Sequence, residues 1–160
     1  MKRLLFATLL LTGLAVQAGD NRQSLRGLNG IYVAVQLVNE HVAGFATNDV
    51  EALVKSELAA GSVQIDSAPK ESDGNANLCV TLAVVRQPQL NAYLFTVEVA
   101  VTQDVRLSRL PHAADLPAET WRKTIQGLTT PARTDLISAA LTQAVGLFVK
   151  DYHAVNAGTR

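Results

Sequence analysis

The sequence predicts an α+β fold: a two-layer sandwich in which two helices cover one face of a mostly antiparallel sheet of four to five strands, in the order β-α-β-β-β-β-α. Three observations carry this expectation. From Leu78 to Leu107 apolar side chains recur at every second position over long stretches, the period of a strand with one wet face. Around Val50–Leu58 and Ile137–Tyr152 they recur at helical intervals, one stripe per segment. A helix with one apolar stripe and a sheet with one apolar face can each cover the other.

Ile31 to Val38 reads as the first strand, with Ile31, Val33, Val35 and Leu37 on one face and Tyr32, Ala34, Gln36 and Val38 on the other. Asn39 to Ala46 is a loop. The first helix starts at Thr47 or Asn48, with Asn48 and Glu51 at capping-box spacing and Gly61 as the stop. Ser62 to Asp66 is a short second strand. Strand, helix and strand in this order make a right-handed crossover between parallel strands. Ser67 to Asn77, with Pro69 and Gly74, is a surface loop. Leu78 to Arg86 and Ala92 to Arg109 are strands joined through Gln87–Asn91 as a hairpin. The second of these would run about 60 Å if straight, so a bend or bulge is expected near Gln103–Asp104. Leu110 to Pro117 is a loop. Ala118 to Gly127 is the last strand, with Trp121, Lys123 and Ile125 on one face. Thr130 caps the last helix, with Pro131 at its first position. Ile137, Leu141, Val145, Phe148 and Tyr152 form its stripe, and Ala140 and Ala144 permit close packing.

The chain opens on Lys2 and Arg3, then an apolar run from Leu4 to Leu11 that Thr12 to Val16 extends weakly. Val16-Gln17-Ala18 fits the small-x-small cleavage pattern, so residues 1–18 read as a secretory signal peptide. The run falls short of the roughly 20 residues a spanning helix needs. No later segment reads as a membrane span, and no cysteine follows the run to carry a lipid. The expected layout is a flexible start at 19–30, one domain over 31–155 and a frayed tail at 156–160. The expected compartment is the periplasm.

Basic and acidic residues number 14 each. Nucleic-acid binding needs concentrated Lys and Arg to displace counterions, and no basic run exists here, which also disfavours an anionic membrane surface. The single cysteine, Cys79, precludes an internal disulfide. Within Leu78-Cys79-Val80-Thr81-Leu82 it reads as a small packed hydrophobe; the other readings are an intermolecular disulfide or a reactive thiol.

Chemistry is sparse. His41, His112 and His153 stand alone, without the spacing of a helical zinc site. No Gly-x-Ser-x-Gly presents a nucleophile. Glu98 and Asp104 share a strand face at about 20 Å, far beyond a glycosidase pair. Gly27-Leu28-Asn29-Gly30 precedes a strand and cradles no phosphate. No catalytic, cofactor or metal residue is assigned, and no enzyme activity is expected. The polar sheet face is the candidate partner surface, through Tyr32, Gln36, Leu94, Glu98, Arg106 and Arg122, with Val38 and Val85 as further apolar anchors.

Leu28-Asn29-Gly30-Ile31-Tyr32-Val33-Ala34-Val35 before a helix, Tyr93-Leu94-Phe95-Thr96-Val97-Glu98-Val99, and Glu119-Thr120-Trp121 before a terminal helix resemble small uncharacterised exported bacterial proteins. The resemblance covers most of the chain after the leader. The predicted topology is also similar to envelope accessory domains: the amino-terminal domain of the periplasmic TolB protein, the lipopolysaccharide-assembly lipoprotein and penicillin-binding-protein activators. That resemblance implies action through an envelope protein or lipid partner rather than catalysis. The chain departs from the lipoproteins in lacking their anchoring cysteine. Two other readings stand beside it: a carrier of a small apolar ligand or lipid held between helices and sheet, and a hydrolase whose site is assembled by folding.

Overall fold

A computed structural model describes residues 21–38, 45–69, 75–106, 108–109 and 115–157. The expected leader at 1–18, His41, Leu107 and His112 lie outside these residues. The strands are β1 (Gly30–Val38), β2 (Ile65–Asp66), β3 (Asn75–Gln87), β4 (Ala92–Val105) and β5 (Leu116–Thr129), and the helices are α1 (Thr47–Ala60) and α2 (Asp135–Asn156). They form the expected α+β sandwich. The sheet order is β2-β1-β3-β4-β5, with β3 at the centre.

The sheet is mixed. β1 pairs in parallel with both β2 and β3, and β3, β4 and β5 form an antiparallel meander. The expected parallel β1–β2 pair is present, but β2 is only two residues long because Gly61 to Gln64 are spent on closing α1. The sheet is nonetheless mostly antiparallel, as expected, because the long β3–β4 and β4–β5 pairings outweigh the parallel ones.

The core lies between the layers. Leu78, Val80, Leu82 and Val84 from β3 and Phe95, Val97, Val99 and Val101 from β4 are all buried. Over them pack Val50, Val54 and Leu58 of α1 and Ile137, Leu141, Val145 and Phe148 of α2. Ala140 and Ala144 are buried in the same stripe, as their size predicted. At β5 the sheet contributes Trp121, whose ring meets Phe148 edge-on at 5.3 Å and whose indole N–H donates to Asp151 Oδ2 at 3.1 Å.

Several local expectations are corrected. Asn48 and Glu51 make no capping box: the helix is preceded by Ala46, with no side-chain cap, and Glu51 instead accepts from Lys55 Nζ at 2.5 Å. Gly61 ends α1 in an ordinary conformation, and the left-handed residue is Ser62 at φ 54°. Pro131–Arg133 forms a separate 3-10 turn, so Thr130 does not cap α2, which begins at Asp135. Thr129 and Arg133 explain the break. The Thr129 hydroxyl donates to Arg133 O at 2.7 Å, while the Arg133 guanidinium donates to Asp135 at 3.0 Å. That hydrogen bond holds the Asp135 carboxyl below the ordinary carboxylate range. A lowered folded value adds stability above the unfolded pKa and loses it as pH falls through the folded one. Both groups are exposed, so the effect is small.

The bulge also moves. It falls between Val101 and Thr102, where Val101 faces Trp121 and Thr102 faces Glu119, leaving Thr120 as the extra residue on β5. Gln103 fills the gap: its Nε2 donates to Thr120 Oγ1 at 2.7 Å and to Ser24 O at 3.0 Å.

Both ends of the domain are more tightly held than their polarity suggested. Asn21–Leu25 is a 3-10 turn that buries Leu25, and Leu28 is buried after it. Asn156, expected in a frayed tail, accepts from Gly27 N–H at 2.8 Å and donates to Leu25 O at 2.9 Å. Leu25→Ala is expected to cost about 2–5 kcal/mol in urea denaturation, the range for a buried leucine. A loose start would lose nothing.

Candidate functional site

Both helices lie on one face of the sheet, and among the described residues no element covers the other. Register sets out that open face in rows. The first holds Tyr32, Asn77, Thr102 and Glu119; the second Ala34, Cys79, Ala100 and Arg122; the third Gln36, Thr81, Glu98 and Thr124; the fourth Val38, Ala83, Thr96 and Gln126. Val85, Leu94 and Leu128 form a fifth row at the hairpin end.

Five of the six predicted face residues belong to these rows: Tyr32, Gln36, Leu94, Glu98 and Arg122. Arg106 does not. It follows β4 and bridges to Asp115 at 2.9 Å, at a corner of the sheet. Thr120 is taken out of these rows by the bulge.

The face has two chemically different ends. At one, Arg122 donates to Glu119 and stands 3.6 Å from Glu98. The Glu119 hydrogen bond, followed by the fields of Glu98 and Glu119, raises the guanidinium above its ordinary value. These side chains are largely solvated, so Arg122→Ala is expected to change stability by less than about 1 kcal/mol in chemical denaturation. The other end is apolar and exposed: Val38 at 39%, Val85 at 42%, Leu94 at 45% and Leu128 at 56%. Leu90, on the hairpin between β3 and β4, is more exposed still.

Between these ends the relief is low. Ala34, Cys79 and Ala100 place three small side chains side by side, and Cys79, Thr81 and Ala83 run along the central strand. Cys79 is half-buried on the open face and not in the core. Leu78 and Val80 on either side of it take the core positions, as alternation requires.

A cleft of about 740 Å³ opens at the opposite, helix-covered side, where Gly27–Asn29 passes the ends of α1 and α2. Three of its polar side chains are already engaged. His153 Nε2 lies 2.5 Å from Gly61 O, and Tyr152 donates its hydroxyl to Leu28 O at 3.2 Å. Asn156 is held as described above. These groups tie the N-terminal segment to the helix ends. The sequence offered no signal for the cleft, because its contacts join residues 92 to 131 positions apart.

Among the described residues, no group of three or more His, Cys, Asp or Glu side chains could hold a metal ion, and no helix is long and apolar enough to cross a membrane. No family model and no curated protein matches the chain. Among solved structures, the chain is similar to a minor lipoprotein from Acinetobacter baumannii, at 13% identity over 81% of this chain and 93% of that one with a TM-score of 0.46. It is also similar to an uncharacterised protein, at 12% identity over 79% of this chain and 92% of that one with a TM-score of 0.39.

Proposed function

We propose that this chain is an exported, non-catalytic accessory domain of the bacterial cell envelope that docks a partner on its open sheet face. One observation carries the reading: a sheet covered on one side only, with Val38, Val85, Leu94 and Leu128 exposed together at one end of the bare side. Contiguous exposed aliphatics of this kind mark contact surfaces more often than ordinary solvated sheet.

The face is favoured over the edges. Pro117 removes a donor from β5, the bulge at Thr120 interrupts its ladder, and Ser24 occupies Thr120 O at 3.0 Å. Lys123 adds a charge on the helix side of the same strand, 6.0 Å from the Trp121 ring centroid. At the other edge β2 is two residues long. Short, bulged and charged edges resist strand addition. Export rests on Lys2, Arg3, the apolar run and Val16-Gln17-Ala18.

Photo-crosslinking in intact cells tests the reading. A crosslinker at position 94 should give protein adducts, while one at the exposed, helix-side Lys150 should not. Equal labelling, or none at position 94, sinks the docking face. Mass spectrometry of the purified protein checks export separately. The expected amino terminus is Gly19, and recovery of the intact chain from the envelope would refute cleavage.

A further inference from the structure

We propose that the partner on the open face is a second copy of this chain, packed sheet on sheet with its strands aligned. The proposal rests on the docking reading above and names its occupant.

The first support is size. Eleven paired residues of β3 and β4 set the length of the face, and four long strands set its width. At about 3.3 Å per residue and 4.8 Å between strands, the flat projection is roughly 36 by 19 Å, on the order of 700 Å². Side-chain relief raises that figure. A standard stable interface takes about 800 Å² from each partner, so one copy of the face is enough for one side of such an interface.

The second support is self-complementarity. An axis parallel to the strands and lying between β3 and β4 keeps each row at its own level while exchanging β3 with β4 and β1 with β5. Val85 of one copy then meets Leu94 of the other, and Leu94 meets Val85. Leu128 comes over Val38 at the neighbouring level. On β3, Thr81 receives Glu98 at its hydroxyl and Ala83 receives Thr96, while Cys79 meets the small Ala100 and leaves that row low. Arg122 comes over Ala34, where its stem has room. Each exposed aliphatic of the rows finds an aliphatic partner, which aligned sheet packing at about 10 Å requires.

The third support is charge. Arg122 is neutralised within its own face by Glu98 and Glu119. One guanidinium against two carboxylates leaves the face a net charge of only about −1, too small to select a strongly charged partner over a copy of itself.

Sedimentation velocity of the mature protein, with Cys79 as an internal reporter, tests the proposal. The wild type should sediment as a dimer. Leu94→Glu and Leu128→Glu each alter an exposed position, and folding is checked by circular dichroism. Each should weaken association by roughly thirtyfold or more, since an apolar anchor is lost twice per dimer. Sheets about 10 Å apart and offset by one strand bring the two Cys79 thiols within reach of a short bismaleimide. Wild type should therefore crosslink, and Leu94→Glu and Cys79→Ser should not. A monomeric wild type, or a dimer indifferent to both glutamates, overturns the proposal. The crosslinker at position 94 separates the two failures. A monomer with adducts to a different protein removes the second copy and leaves the docking face; a monomer without adducts removes both.

Discussion

Trp121→Ala is expected to destabilise the domain by about 3–5 kcal/mol, the range for deleting a large buried aromatic. The side chain is 1% exposed, and it is where β5 joins the helical layer. Its loss removes the edge-on contact with Phe148, the cover over α2 and the indole donor to Asp151. An ordinary domain has about 5–15 kcal/mol in total, so much of the margin would go. Urea denaturation followed by circular dichroism gives the value. Trp121→Phe keeps most of the volume and should lose less than half as much, while Asp151→Asn, which leaves an acceptor for the indole, should lose least. Equal losses for phenylalanine and alanine would show that the indole hydrogen bond, and not packing, governs the site.

The second large effect is expected at Gly127. It stands opposite Phe95 in the β4–β5 pair, and the aromatic ring lies across it. A Cβ added at Gly127 would stand 2.4 Å from Phe95 Cζ and 2.8 Å from Cε1. Phe95 is buried, so the ring cannot swing out to make room. Gly127→Ala should therefore cost about 1–3 kcal/mol, as overpacked cores do. The check is a double-mutant cycle. Phe95→Leu alone leaves a cavity, and in its presence Gly127→Ala should be tolerated, giving a coupling of about 0.5–3 kcal/mol. Additive losses would mean that backbone conformation, and not the ring, excludes alanine.

What the sequence made legible follows from the reach of its signals. The period-two pattern from Leu78 onward fixed β3 and β4 and separated their faces, so that Leu94 and Glu98 could be placed on the open side. The stripe from Ile137 to Tyr152 likewise gave α2 and its buried side. Cap chemistry was less telling, because Glu51 bound the nearby Lys55 in place of the helix backbone, and Arg133 bound Asp135 in the turn that separates Thr130 from α2. The bulge was foreseen from strand length but misplaced, since its position depends on Gln103, Thr120 and Ser24 meeting from three separate segments. The low row of Ala34, Cys79 and Ala100 was hidden for a related reason. Each residue is unremarkable in its own strand, and only the register puts them side by side.

The bonds from Asn156 to Leu25 and Gly27, and from Tyr152 to Leu28, bear on the order in which the molecule is made. They connect residues 124 to 131 positions apart. The segment 21–28 is synthesised before the rest of the described domain, yet its anchors arrive with the last turns of α2. A chain emerging vectorially can pair β3 with β4 early, since these are neighbours in sequence. Leu25 and Leu28 have no finished seat until the final helix is out. The domain is thus kept from closing until that helix has emerged, and its first and last parts to appear complete it together.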